Sequence, residues 1–394
     1  MSNRNPMKDQ VAIVGVASTG YTRETEGRSQ SSLALEACAN AIRDAGIAKA
    51  EVDGVAGTSP HAPYVAAALG LSGVRSYTTE MTPFGQTVIQ AAQAIHAGSC
   101  DVALAYHSVY RTAMTSKSAA ADPFRRSAMA GLGANVPRDA PDRMEGAVAY
   151  AAYASRYLHE TGTTREQLGH VAVSDRINGC LNPLAVMQKP LSMEEYLAAR
   201  MIREPLCLFD MDVPVDGADA LVLTTAERAA DICEKPVLIH ATSTGLPPVG
   251  GYYGGETQLM DLHHHGQHVV IADLRARSDL WIDDVDVYFP YDGFSFITLA
   301  WIENAGWCDF GEAGQLIEDS RDASGRILLN GRIPVNPHGG AISEGATQGA
   351  GHIREAVLQL RGDAGQRQVS QAKTALVTPG GFFFNSQGLV LRTA

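Results

Sequence analysis

The sequence predicts an α/β fold made of two related halves, packed as five layers in the order α-β-α-β-α. Two observations carry this. Buried-strand segments alternate with helical segments along most of the chain. One order then occurs twice: a strand, a helix ending in Ala-Gly, an alanine- or leucine-rich helix, and a buried strand. The correspondence is one of order, not a clean sequence repeat.

The first half opens on Val11-Ala-Ile-Val-Gly-Val16, a continuous apolar run of strand length. A helix follows from Leu33 to Ala45, apolar on one face and stopped by Gly46. Ser76 to Glu80 is strand-like, Gln86 to Ala97 is an alanine-rich helix ended by Gly98, and Asp101 to His107 is a buried strand. Residues 108 to about 205 differ, being rich in Ala, Arg, Met and Ser. They read as a helical insertion, with Glu145 to Glu160 and Met193 to Met201 as its clearest helices. The core resumes with the strand Ala220 to Thr225.

A second series begins at Lys235, so the expected division is 1–234 and 235–394. Its strands are Pro236 to Ala241, Asp284 to Phe289, Thr374 to Thr378 and Leu389 to Arg392. Its helices are Phe294 to Ala305, stopped by Gly306, and His352 to Leu360, stopped by Arg361-Gly362.

Composition narrows the function. The chain has 394 residues, 45% hydrophobic and 19% charged, which is the balance of a globular protein with a sizeable core. Its formal charge of −12 argues against a general nucleic-acid binder. A local basic patch for an anionic ligand remains open, from Arg111, Lys117, Arg125, Arg126, Arg138 and Arg143; the plainer reading is a solvated charged surface. Met1 to Gln10 is polar, and no run of about 18 apolar residues reads as a membrane span. Six cysteines without CxxC spacing read as reduced thiols of a cytoplasmic protein.

Four segments are specific: Pro214-Val-Asp-Gly-Ala-Asp-Ala-Leu-Val-Leu223, Tyr291-Asp-Gly-Phe294, Asn336-Pro-His-Gly-Gly-Ala-Ile342, and Gln359-Leu-Arg-Gly362 with Gln366-Arg-Gln-Val369. Together they resemble the thiolase superfamily, in the branch near the sterol-carrier-protein thiolases, over nearly the whole chain. The resemblance implies the thiolase fold, two βαβαβ halves with a helical loop insertion. It also marks where catalysis sits in that superfamily. The nucleophilic cysteine belongs at the start of the helix after Ser76–Glu80, where this chain reads Thr82-Pro-Phe-Gly85. The Gly-His-Pro histidine becomes Ala346, the Cys-x-Gly-Gly cysteine becomes Thr378, and the Asn or His of the remaining motif becomes Tyr291.

This pattern is similar to the thiolase-like aldolases of steroid side-chain degradation, also called lipid-transfer proteins. The resemblance implies retro-aldol cleavage of a β-hydroxyacyl-CoA to a ketone or aldehyde and a short acyl-CoA. It implies no metal and no cofactor beyond the coenzyme A of the substrate. It implies a homodimer, or a heterotetramer with a small OB-fold partner of the DUF35 type. It assigns acid/base catalysis to Tyr291, with help from His338. Substrate contacts fall to Asn336, Gly339, Gly340, Gly380 and Gly381, whose backbone can approach a thioester carbonyl. Relatives with a second tyrosine carry it after Ser-Glu-Gly, where this chain has Ala346.

Each assignment has a plainer alternative. Tyr291 can be a buried ring with its hydroxyl satisfied by the backbone, and Tyr288 a packing residue. His338 can be a loop histidine, and Glu344 a solvated or capping carboxylate. For Tyr291 to act as a base near neutral pH, neighbouring donors or cations must lower its pKa from about 10. His263-His264-His265 with His268 has the composition of a metal cluster, but consecutive residues rarely converge on one ion, so a mobile or interface loop is expected. Tyr252-Tyr253, set among glycines in 249–255, reads as a flexible loop at the site or a partner. Two rival functions stay open: an acyltransferase or thiolase-like condensing enzyme, and a non-catalytic lipid-binding or scaffold subunit.

Overall fold

The computed structural model describes residues 5–24, 27–79, 83–112, 146–246, 262–382 and 385–394. Glu80, Thr82, Glu145, the run 249–255, and Lys117, Arg125, Arg126, Arg138 and Arg143 lie outside the described residues.

Among the described residues, nine strands form one sheet. They are β1 (Val11–Thr22), β2 (Gly54–Gly57), β3 (Ser76–Thr79), β4 (Val102–Tyr110), β7 (Asp216–Thr225), β8 (Val237–Gly245), β9 (Val287–Pro290), β12 (Thr374–Thr378) and β13 (Ser386–Thr393). Two-stranded ribbons supply β5 (Met201–Arg203) with β6 (Leu206–Cys207), and β10 (Leu328–Leu329) with β11 (Ile333–Pro334). The large sheet runs β3-β2-β4-β7-β1-β8-β13-β12-β9. The halves join edge to edge where Ala12 and Ile13 face Leu238 and Val237.

From that join outwards the two halves repeat. β1 and β8 pair antiparallel with β7 and β13, these pair antiparallel with β4 and β12, and the latter pair parallel with β2 and β9. These four pairs of strands match in pairing sense, and β3 extends the first half by a further parallel strand beside β2.

The helices of the two series are α1 (Gln30–Asp44), α2 (Ala62–Leu69), α3 (Phe84–His96), α4 (Gly146–Thr161), α5 (Arg165–Gly179), α6 (Met193–Leu197), α7 (Ala226–Ile232), α8 (Gly266–Arg277), α9 (Ser295–Ala305), α10 (Ala313–Asp319), α11 (Gly340–Ser343) and α12 (Ala350–Arg361). Three apolar clusters separate them into layers. One holds α1 and α2 against Ala12, Val14, Leu104 and Val222. The second holds α3 and α12 between both half-sheets, against Ile13, Leu221, Phe289 and Val377. The third joins α4, α5, α8 and α9 to Tyr288, Leu376 and Val390. Successive strand residues point to opposite faces. Hence Val287 and Phe289 enter the central layer, while Tyr288 enters the outer one.

Strands and helices fall close to where the sequence puts them, and Gly306 and Gly362 end α9 and α12 in the left-handed conformation, with φ of 93° and 76°. Two readings need correction. The helix expected to reach Met201 stops at Leu197, because Met201 pairs with Cys207 in the β5–β6 ribbon. The insertion is therefore not wholly helical. It also holds α5, whose start is marked by a Thr164–Gln167 capping box in which each side chain satisfies the other residue's backbone N–H.

Candidate active site

Strands β9 and β12 are parallel neighbours that end together, Pro290 opposite Thr378. The loops that follow, Tyr291–Phe294 and Thr378–Gly381, therefore lie side by side, and the Tyr291 N–H donates to the Thr378 carbonyl at 3.0 Å.

Asp292 organises the next loop. Its fully buried carboxylate accepts the backbone N–H groups of Ala341 (2.7 Å) and Ile342 (2.9 Å) and faces Nε2 of His352 at 2.9 Å. A Cβ on Gly340 would lie 2.1 Å from this carboxylate, so only glycine lets it reach the turn. Asn336 holds the loop from the other side. Its Nδ2 donates to the Pro290 carbonyl at 3.0 Å, and its own carbonyl accepts from Asn178 at 3.0 Å. Asn336, Gly339 and Gly340 thus build the loop beside the site. Behind them Asp175 is buried, and its carboxyl is pushed well above the usual range by burial and then by the charge of Asp292.

Tyr291 is 7% exposed, and its ring packs on the imidazole of His352 with centroids 5.7 Å apart. After burial, the charge of Asp212 is the strongest influence on the Tyr291 hydroxyl, and the Asp212 carboxylate accepts Nη1 of Arg111 at 3.2 Å. Asp212 is brought there because its own N–H donates to the Gly293 carbonyl at 3.1 Å. The expected lowering of the Tyr291 pKa is reversed. Burial, and after it Asp212, drive it well above its ordinary value, and Arg111 only partly opposes them. Burial likewise raises the pKa of Asp212, against the pull of Arg111. The pair is therefore a neutral phenol beside a carboxylate made more basic.

His338 is fully buried and stands one imidazole away from Tyr291. Its ring meets His352 (centroids 4.7 Å apart) and Phe289 (5.7 Å). Burial, then His352, holds it well below the ordinary histidine pKa, so it is neutral. Glu344 is not solvated. It is buried, bonded to Asn182 at 2.7 Å and paired with Arg354, whose guanidinium also reaches Asp219 at 3.0 Å and the Tyr21 hydroxyl at 2.5 Å. This network ties α12 to β7 and β1. Tyr288 is a buried packing residue whose hydroxyl donates to the Trp301 carbonyl at 3.2 Å.

The loop Thr378–Gly381 faces two helix starts. Pro83 and Phe84 stand at the start of α3, with no cysteine there, and Cys100 lies beyond the helix, just before β4. Gly380 offers its carbonyl to Trp301 Nε1 at 2.6 Å, and the Phe382 N–H donates to the Tyr150 hydroxyl at 3.2 Å beside Gly381.

The histidine run leads into α8. His265 is buried and caps α8, its ring 4.3 Å from that of Phe382, while His263 packs on Phe310 and His268 lies within α8. Among the described residues no group of three or more His, Cys, Asp or Glu is arranged to hold a metal ion. No described helix is long and apolar enough to cross a membrane.

Sequence reasoning missed Asp212, Arg111 as its partner, and His352. The one local signal for Asp212 is its place just before the Pro214 segment.

Two mirrored half-sheets enclosing a central helix layer, with the site at the loops that close it, define the thiolase fold. The Thiolase C-terminal domain-like family matches residues 267–393. The 17-hydroxy-3-oxo-4-pregnene-20-carboxyl-CoA lyase of Mycobacterium tuberculosis is 33% identical, over 95% of this chain and 97% of its own. The steroid side-chain-cleaving aldolase of Thermomonospora curvata is 32% identical, over 94% of each. Among solved structures, the Ltp2-ChsH2(DUF35) aldolase superposes with a TM-score of 0.81 at 30% identity, covering 98% of both chains. The chain belongs to the thiolase-fold family that contains these side-chain-cleaving aldolases.

Proposed function

We propose that the chain is a carbon–carbon lyase that cleaves a steroid β-hydroxyacyl-CoA by a retro-aldol reaction. The observation that carries the reading is the Tyr291–Asp212 pair. The substrate's β-hydroxyl gives its proton to the Tyr291 oxygen as the phenol proton passes to Asp212. The Cα–Cβ bond breaks, its electrons form a thioester enolate, and the ketone or aldehyde departs. The proton then returns through Tyr291 to Cα, giving the short acyl-CoA with no net proton change. Asp212 is thus the base and Tyr291 the group that reaches the substrate. No step uses a metal or a cofactor other than the coenzyme A of the substrate.

The acyltransferase rival needs an activated thiol. Burial pushes Cys100 and Cys207 up to about 11, which leaves these thiols protonated. The scaffold rival has no use for the phenol–carboxylate pair. The test is incubation with 17-hydroxy-3-oxo-4-pregnene-20-carboxyl-CoA, the compound in the name of the mycobacterial relative. A 17-keto steroid and propionyl-CoA are expected, and their absence with a correctly folded complex overturns the reading.

We further propose a homodimer that binds an OB-fold partner of the DUF35 type; DUF35 is the component named with the solved neighbour. The support within this chain is β3, an edge strand with Tyr77 64% exposed. We assign the protein to the cytoplasm, in keeping with its free thiols. A monomer fully active without a partner contradicts this assembly.

A further inference from the structure

One fully buried side chain at the site has no assigned work. Gln387, the second residue of β13, is 0% exposed, and neither its Oε1 nor its Nε2 has a hydrogen-bond partner. Removing a carboxamide from water with both ends unsatisfied is unfavourable, and folded proteins rarely keep one unless something else completes it.

Its location says what that something is. A Cβ built on Gly85 would lie 3.2 Å from Gln387 Cβ and 3.3 Å from its Oε1, and one on Gly380 would lie 3.2 Å from Oε1. The amide therefore lies between the first turn of α3 and the Thr378–Gly381 loop. A second helix start converges there. A Cβ on Gly349, the N-cap of α12, would lie 2.5 Å from Pro379 Cβ, and one on Gly85 would lie 3.0 Å from Pro379 Cγ. These helices have 13 and 12 residues, so each brings the positive end of its dipole to the loop. Such a setting favours an oxygen that gains negative charge.

We propose that Gln387 donates from Nε2 to the thioester oxygen of the bound acyl-CoA and, with the start of α3, holds the enolate oxygen once the Cα–Cβ bond breaks. The inference rests on the lyase reading and adds the missing half of its chemistry, since Tyr291 and Asp212 handle the proton and not the oxyanion. Rotation about Cγ–Cδ exchanges the two ends of the amide, so its NH2 can face the ligand. Electrons of the broken bond pass through Cα–C to the oxygen. Gln387 transfers no proton, and the charge disappears when Cα is protonated.

The test uses Gln387→Met, close in shape but without a donor, and Gln387→Glu, which keeps the length and replaces the amide. Four quantities are compared with the wild-type complex: thermal midpoint, affinity for coenzyme A, turnover of the steroid thioester, and exchange of the α-protons of propionyl-CoA in D2O. For Gln387→Met the midpoint should be unchanged or higher, because an unsatisfied amide has been removed, and coenzyme A should bind as before. Turnover and exchange should both fall about 10²–10³-fold, the loss of one oxyanion donor. Gln387→Glu should be as inactive. Retention of more than about a third of turnover by Gln387→Met, against that expected loss, overturns the proposal. So does a lowered midpoint with activity falling only in step with folded protein, which makes the amide structural. A wild type that exchanges α-protons but does not cleave the steroid thioester overturns the lyase reading and leaves the Gln387 site standing. A wild type that does neither overturns both.

Discussion

The carboxylate of Asp292 lies 2.9 Å from Nε2 of His352, and the same two oxygens accept the N–H groups of Ala341 and Ile342. One buried side chain thus joins the loop after β9, the turn at α11 and the first turn of α12. Asp292→Asn replaces an acceptor by an NH2 aimed at donors. It should destabilise the fold by about 2–4 kcal/mol, the range for leaving buried polar partners unmatched. Urea unfolding with an unchanged m value measures this. A shift below about 0.5 kcal/mol contradicts the anchoring role.

Tyr291→Phe removes the hydroxyl on which the Asp212 charge acts. Turnover should fall by about 10²–10⁴-fold, while stability changes by about 1 kcal/mol. Tyr288→Phe is the control: it loses a hydrogen bond to Trp301, yet should keep most of its activity. Equal losses in the two variants would move the chemistry elsewhere.

Asp212 must be ionised to take a proton. Its raised pKa places the acid limb of turnover above the usual aspartate range. Arg111 holds that pKa down, so Arg111→Met should move the limb to higher pH. A limb that stays still, or moves down, in the pH–rate profile removes Asp212 from the mechanism.

Glu303 gives a pH effect on stability. Burial pushes its carboxyl up to about 7, against hydrogen bonds from Tyr157 and the N–H groups of Ala313 and Gly311. A pKa raised on folding means the folded state binds the proton more tightly. The associated stability is present below the unfolded value of about 4.3 and is lost as pH rises through about 7. Between pH 5 and 8 the wild type should therefore lose more stability than Glu303→Gln, as measured by denaturant midpoints. Equal changes would mean that Glu303 keeps an ordinary pKa.

Iodoacetamide should leave turnover nearly intact. Cys38, Cys100 and Cys207 are buried, and burial raises the pKa of each. Burial also pushes Cys308 up to about 12. Among the described cysteines Cys180 is the exposed one, so mass spectrometry should find the label mainly there. Loss of activity in proportion to labelling of one cysteine would restore the acyl-transfer reading.

Much of this was legible in the chain. Strand runs such as Thr374–Thr378 and helix stops at Gly306 and Gly362 depend on neighbours a few residues away, so periodicity and glycine exposed them. The motif segments located the loops, and Thr82-Pro-Phe-Gly85 already lacked a cysteine. The short strand β2, Gly-Val-Ala-Gly, carried no periodic signal, because it is held by β3 and β4 on its two sides. The partners of the site residues were hidden for a related reason. Asp212 meets Tyr291 only because its backbone runs beside Gly293, and His352 meets Asp292 only because α12 lies in the central layer. Burial then set the chemistry, raising the pKa of Tyr291 where the sequence alone suggested lowering it. The sequence by itself determined the secondary elements, their repeated order and the residues offered at each loop. The tertiary structure decided which of them touch and which proton each keeps, since both depend on strand register and on exclusion of water between layers.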